Sequence, residues 1–161
     1  MQGQPFTLKA ARFAFSTLGT VAPEPMAALA ERMYFSPRRH RAPPRERAVL
    51  DDAERFSVAT DEGVLAAYRW TPFFPWERAR RGTVLLVHGW EGRAAQLGGF
   101  IAPLTALGFD VVGFDAPAHG SSPGAAIDLP RYARCVRAVA EHVDDVVAVG
   151  GKTAGGGDGG E

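Results

Sequence analysis

The sequence has little of several features that would define a protein class. It contains one cysteine, Cys135, in 161 residues, which excludes an intramolecular disulfide framework and a cysteine-built metal site. Eighteen basic residues balance eighteen acidic ones, so the composition argues against a nucleic-acid partner. No apolar run approaches the roughly 18 residues that span a bilayer, and the N-terminus shows no secretory signal. We therefore expect a globular, cytoplasmic protein without a transmembrane span.

Changes in composition divide the chain into four segments. Residues 1–36 are predicted to be helical, because "EPMAALAERMYF" places apolar residues at helical spacing. This helix is expected to pack against the protein, with a membrane surface or a partner as the alternative. Residues 37–53, including "SPRRHRAPPRER", are predicted to form an extended, solvated linker rich in Pro and Arg. Residues 54–150 carry strand and helix patterns, and residues 151–161 form a Gly-rich tail.

The pattern in residues 54–150 predicts an α/β fold. "RFSVAT" and "VLAAYRW" flank "DEG" and predict a β-hairpin, and "TVLLVHGW", "DVVGFDAP" and "DDVVAVGG" contain short apolar runs typical of buried parallel strands. Helices are predicted between these strands, from about Ala94 and over "DLPRYARCVRAVAEHV". Pro103 predicts a kink or a late start in the first of them. A β-α-β-α-β order gives a parallel sheet whose ligands bind at the carboxyl ends of the strands.

Two motifs follow the first two predicted parallel strands. "HGWEG" begins at His88 and contains Gly89 and Gly92. These glycines permit a tight turn in which backbone N–H groups can point at an oxyanion. A simple strand-to-helix turn would have the same pattern. In "DAPAHGSS", Asp115 is either a metal ligand or, more commonly, an acid that binds the amides of its own turn. His119 is either a catalytic base or, by preference, a histidine that holds the loop.

The third strand leads into "GGKTAGG", which contains Gly-Lys-Thr. A phosphate-binding loop ending at Thr153 requires glycine at position 146, which is Val146. The sequence therefore argues against nucleotide binding, and we expect no cofactor and no metal.

"VLLVHGWEG", followed by "GFDVVGFDAPAHGSS", resembles the α/β-hydrolase family over residues 55–156. Within that family the chain is similar to bacterial hydrolases of undefined substrate. The resemblance implies hydrolysis of an ester or similar acyl bond in a small-molecule substrate. The chain has Ala118 where the commonest family motif has glycine.

The resemblance also implies roles for individual residues. A nucleophile elbow, G-x-S-x-G, is expected at residues 151–155, where Gly151 and Gly155 match and Thr153 stands at the nucleophile position. The backbone amides of Trp90 and Ala154 would form the oxyanion hole. His88, Gly89 and Gly92 would shape the first loop, and Asp115 and His119 would brace the second.

The chain departs from the family mechanism at the elbow. Threonine is β-branched, and its extra methyl group is expected to clash in so tight a turn. In this fold the acid and the histidine follow the nucleophile, yet all four histidines precede Thr153. We therefore expect the chain to be inactive alone.

Seven of the last twelve residues are glycine, which suggests a chain truncated at the elbow, for instance by a frameshift. The alternative is a non-catalytic α/β domain that acts through partner association. Self-association through an exposed sheet edge is possible in either case.

Overall fold

The computed structural model describes residues 6–72 and 80–152, with the backbone alone for residues 6–11. The chain divides into two units, residues 1–36 and residues 37–161. The first unit consists of helix α1 (Phe6–Val21) and helix α2 (Pro23–Phe35), which contact each other. Proline at the start of α2 suits the first turn, where its missing N–H costs no hydrogen bond. This unit confirms the predicted helical N-terminal segment. Among the described residues, no helix is long and apolar enough to cross a membrane.

The second unit is built on a five-stranded mixed sheet in the order β1-β2-β4-β3-β5. Strands β1 (Glu54–Thr60) and β2 (Gly63–Trp70) form the predicted antiparallel hairpin, and β2 pairs antiparallel with β4 (Asp110–Phe114). Strand β3 (Thr83–Val87) lies between β4 and β5 (Val146–Gly151) and is parallel to both. The predicted β-α-β-α-β order is therefore confirmed.

One face of the sheet packs against helix α5 (Leu129–His142). Cys135 and Val139 of this helix are buried against Leu85, Val112 and Phe114 of the two central strands. The helix begins where the Asp128 carboxylate accepts a hydrogen bond from the Arg131 backbone N–H at 2.7 Å, which satisfies one of the first-turn amides.

The other face packs against helix α4 (Gly98–Ala106), which follows a 3₁₀ turn (Ala94–Leu97). Leu97 and Ile101 are buried against Val84, Leu86 and Val111. Side chains of adjacent strand residues point to opposite faces, which is why Leu85 and Leu86 belong to different cores. The α-helix begins at Gly98 and not near Ala94, which agrees with the expected late start, but Pro103 lies inside the helix and not in its first turn.

The prediction of an extended, solvated linker over residues 37–53 was wrong for helix α3 (Pro44–Asp51). Pro43 and Pro44 are compatible with a helix start, since proline fixes φ near the helical value and its missing N–H is not needed there. Tertiary contacts then hold the helix, because the Trp70 indole N–H donates to the Val49 carbonyl at 2.9 Å. Composition alone could not show this long-range contact.

Candidate active site

The loops that follow β3 and β4 and the end of β5 lie on one side of the sheet, at the carboxyl ends of its strands, because β3 lies between β4 and β5 and is parallel to both. Loop A, residues 88–93, follows β3, and loop B, residues 115–124, follows β4. Gly151 ends β5, and a Cβ at Gly151 would lie 2.6 Å from the Val87 carbonyl oxygen. That close approach requires glycine at this position. The predicted elbow residues Thr153, Ala154 and Gly155 lie outside the described residues.

The Asp115 carboxylate is the centre of loop B. Its Oδ1 accepts a hydrogen bond from the Ala94 N–H at 2.9 Å, which reaches from the helical turn that follows loop A. Its Oδ2 accepts from the Ser121 N–H at 2.8 Å and from the Tyr68 hydroxyl at 3.2 Å. Asp115 thus binds one amide of its own loop, that of Ser121, and one from the turn after loop A, that of Ala94. In the part of the chain that the structure describes, no cluster of His, Cys, Asp or Glu could hold a metal ion.

His88 is buried and both of its ring nitrogens contact backbone groups. Nε2 accepts a hydrogen bond from the Ala116 N–H at 3.0 Å, and Nδ1 lies 2.8 Å from the Gly89 carbonyl oxygen. A carbonyl can only accept, so the proton is on Nδ1 and the ring is neutral. Burial, which penalises the charged form, lowers the pKa of His88 to about 4.

His119 has the same arrangement in the second loop. Nε2 accepts from the Glu91 N–H at 3.2 Å, and Nδ1 lies 2.9 Å from the Pro117 carbonyl oxygen. Burial lowers the pKa of His119 as well. The rings of His88 and His119 are 4.9 Å apart, centroid to centroid. In both rings the nitrogen that could accept a proton is already engaged by a backbone N–H.

Loops A and B each contain a non-glycine residue in the left-handed region. Glu91 has φ of 57° and Ala118 has φ of 65°. An L-residue pays a steric penalty there, which glycine avoids. The conformation of Ala118 explains why a glycine is common at the matching position of the α/β-hydrolase motif.

Glycine is required at two other positions of these loops. A Cβ at Gly92 would lie 2.8 Å from the Gly89 carbonyl oxygen. A Cβ at Gly120, where φ is 43°, would overlap the Asp115 carboxylate. Both loops therefore contain a tight turn that needs glycine, and the sequence analysis indicated such a turn for loop A from Gly89 and Gly92.

Two polar side chains that support the site were not found from the sequence. The Tyr132 hydroxyl donates to the His88 carbonyl oxygen at 2.5 Å, so α5 supports the start of loop A. The Ser122 hydroxyl donates to the Asp115 carbonyl oxygen at 2.5 Å and accepts from the Ala66 N–H at 2.9 Å. In the sequence, Tyr132 belongs to the apolar face of a predicted helix, and its spacing does not indicate the His88 carbonyl oxygen as its partner.

Comparison with known proteins gives a match to one family model over part of the chain and a likeness in fold to several solved structures. Residues 78–154 match the family model described as serine aminopeptidase, S33. None of the curated proteins matches the chain significantly.

Among solved structures, an esterase from Pyrococcus furiosus aligns at 17% identity with a TM-score of 0.53, over 74% of this chain and 46% of that one. An α/β serine hydrolase homologue from Coxiella burnetii aligns at 19% identity with a TM-score of 0.51, over 61% of this chain and 50% of that one. An epoxide hydrolase from an endophytic Streptomyces aligns at 19% identity with a TM-score of 0.51, over 63% of this chain and 30% of that one. The chain thus spans half or less of the length of each structure, and the likeness shows the fold.

The close approach of Gly120 to Asp115 predicts the effect of adding a methyl group. Gly120→Ala is expected to lower the free energy of unfolding by more than about 2 kcal/mol, because the Cβ displaces the carboxylate and strains φ. Gly99→Ala is the control, since nothing lies within 4 Å of a Cβ at this helical position. Urea denaturation followed by tryptophan fluorescence measures both variants. Equal midpoints for the two variants would contradict the prediction.

The lowered pKa of His88 predicts acid sensitivity. The unfolded imidazole binds a proton near pH 6.5, whereas the folded one binds it only near pH 4. Stability conferred by neutral His88 is therefore complete above pH 6.5 and is lost as the pH falls toward 4, by up to about 1.4 kcal/mol per pH unit.

His88→Gln should reduce the slope of unfolding free energy against pH in this window. His40→Gln, which removes an exposed imidazole, is the control, and denaturation series at several pH values measure both slopes. The same slope in both variants would count against the prediction.

Proposed function

From the part of the α/β-hydrolase fold that the chain has, and from the match of residues 78–154 to the S33 serine aminopeptidase model, we propose that the chain carries the oxyanion-loop part of a hydrolase site for ester or related acyl bonds. The proposed substrate is a small molecule with a carbonyl group, and no cofactor or nucleic acid takes part. We propose a cytoplasmic location, which is supported by the single, buried and free Cys135.

Acyl-bond hydrolysis needs a nucleophile, hydrogen-bond donors for the oxyanion, and a general base. We assign the nucleophile position to Thr153 and the oxyanion donors to the backbone amides of Trp90 and Ala154. Trp90 lies in loop A at the carboxyl end of β3, beside the strand β5 that leads toward Thr153. In this arrangement the oxygen of a substrate carbonyl faces loop A while the hydroxyl attacks the carbonyl carbon.

The general base is the part of the mechanism that this chain does not supply. The observation that carries this proposal is the engagement of both buried histidines, since His88 and His119 each accept a backbone N–H on the ring nitrogen that would otherwise take the proton. His142 stacks on Phe56 at 6.1 Å, at the end of α5. We therefore propose that the 161-residue chain does not turn over esters by itself, and that His88, Asp115 and His119 shape the two loops.

Hydrolysis of a short-chain p-nitrophenyl ester tests this proposal. The purified 161-residue chain and its Thr153→Ala variant are both expected to show no turnover above buffer, because the hydroxyl lacks a base. A matched esterase of the same fold verifies the assay. Turnover in the unmodified chain that disappears in Thr153→Ala would show that Thr153 acts with a base among the other residues, and would overturn the proposal of inactivity.

A second candidate function is association through the β5 edge of the sheet. Within the described residues, β5 pairs only with β3, and none of its residues from Val146 to Gly151 is charged. Val147 and Val149 are 52% and 57% exposed. The opposite edge strand, β1, carries Glu54 and Arg55, and charged side chains of this kind oppose edge-to-edge pairing. We propose a second copy of the chain as the partner at β5.

A lysine on the β5 edge should reduce this association. Val149→Lys is expected to shift the protein toward monomer, since pairing would bring two like charges together. Val64→Lys is the matched control, because Val64 is 52% exposed and lies in the β1-β2 hairpin. Sedimentation velocity across a concentration series measures the mass. A monomeric unmodified chain at all concentrations would refute association.

A further inference from the structure

A segment upstream of the sheet contacts both site loops. We call residues 37–42 the arginine strap; it has no helix or strand and belongs to the same unit as the sheet. Its Arg39 guanidinium donates to three carbonyl oxygens of loop B: Ser122 at 2.6 Å, Gly120 at 3.2 Å and Gly124 at 3.2 Å. These carbonyls lie on the part of the loop that folds back onto Ala118, whose N–H donates to the Pro123 carbonyl at 2.9 Å.

The same segment holds loop A. The Arg38 backbone N–H donates to the Glu91 carboxylate at 3.2 Å. The His40 carbonyl accepts from the Arg93 guanidinium at 2.5 Å, and Arg93 also forms an ion pair with Glu46 of α3 at 3.0 Å. One short stretch of chain is therefore bound to loop B through Arg39 and to loop A on either side of that residue.

The two loops need external support because both contain strained residues. Glu91 in loop A and Ala118 in loop B have positive φ, a conformation that persists where surrounding contacts enforce it. Arg38 contacts the side chain of Glu91, and Arg39 contacts the carbonyls around Ala118. Between the loops themselves, the Glu91 N–H donates to His119. A shift of loop B would therefore move the backbone of loop A directly after Trp90.

We propose that Arg39 is a positioning residue, which through the arginine strap fixes the backbone of loop A, including the Trp90 amide, relative to loop B. Its consequence for catalysis rests on the proposed hydrolase function, whereas its effect on the loops does not. Arginine suits this role because its planar fork presents several donors in fixed directions, so that one side chain satisfies three carbonyls. Lysine offers one ammonium group and cannot reproduce that set.

Residue-resolved amide hydrogen exchange, followed by NMR, tests the proposal in the 161-residue chain. In Arg39→Ala, the amides of Ala118 and Ser122 in loop B and of Glu91 in loop A are expected to exchange about tenfold faster, the scale of losing charge-assisted hydrogen bonds at a partly exposed site. The amides of Leu85 and Val112 in the central strands should change less than about twofold. Arg41→Ala, an exposed arginine of the same strap, is the matched control and should leave all five amides unchanged.

The response of Glu91 decides the proposal, because the three hydrogen bonds of the Arg39 guanidinium go to loop B, whereas Glu91 lies in loop A. Unchanged exchange at Glu91 would overturn it, and so would an equal acceleration of Leu85 and Val112, which would mean that Arg39 supports the whole fold. If Arg39→Ala does not fold, Arg39→Lys replaces it, with the same selective acceleration expected at a smaller factor and the same two outcomes against it. Amide hydrogen exchange is measured without substrate turnover. The outcome of the ester assay therefore does not affect this test, and a failure of the hydrolase proposal can be told apart from a failure of this one.

Discussion

The site depends on one buried carboxylate, that of Asp115. Its two oxygens bind Ala94 after loop A, Ser121 in loop B and Tyr68 on β2, so a single group ties three separate parts of the chain together. A buried carboxylate would be costly without such partners, since water can no longer solvate it. The hydrogen bonds that offset this cost also fix the positions of the two loops. Loop B can approach this closely because residue 120 has no side chain.

The two histidines extend this arrangement with neutral groups. Each ring donates through Nδ1 to a nearby carbonyl and accepts through Nε2 from an amide of the other loop, so the loops are linked in both directions. Burial keeps both rings neutral, and a neutral imidazole is what allows donation and acceptance at once. A histidine in a hydrolase-like loop is easily taken for a base. Here the hydrogen bonds make each ring a bridge between backbone segments.

Much of the fold could be predicted because it rests on local patterns. The hairpin follows from two β-rich stretches around a Gly-containing turn, and the parallel strands follow from short apolar runs. The positions of His88, Asp115 and Gly151 at the carboxyl ends of neighbouring strands follow from the order of strands and helices. Helix α3, Arg39 and Tyr132 could not be predicted, because their partners are distant in sequence and no periodicity marks them. The linker prediction failed for the same reason, since Pro and Arg content describes a free chain and not one held by tertiary contacts.

The strand order has a consequence for how the protein is assembled. Strand β2 pairs with β4, not with β3, although β3 comes first along the chain. During synthesis the hairpin is completed about forty residues before β4 emerges, and until then Leu65, Ala67 and Tyr68 have no sheet to pack on. Strand β4 must therefore be available before the hairpin can join the sheet. Asp115 directly follows β4, so its hydrogen bond to Tyr68 depends on the same docking that pairs β2 with β4.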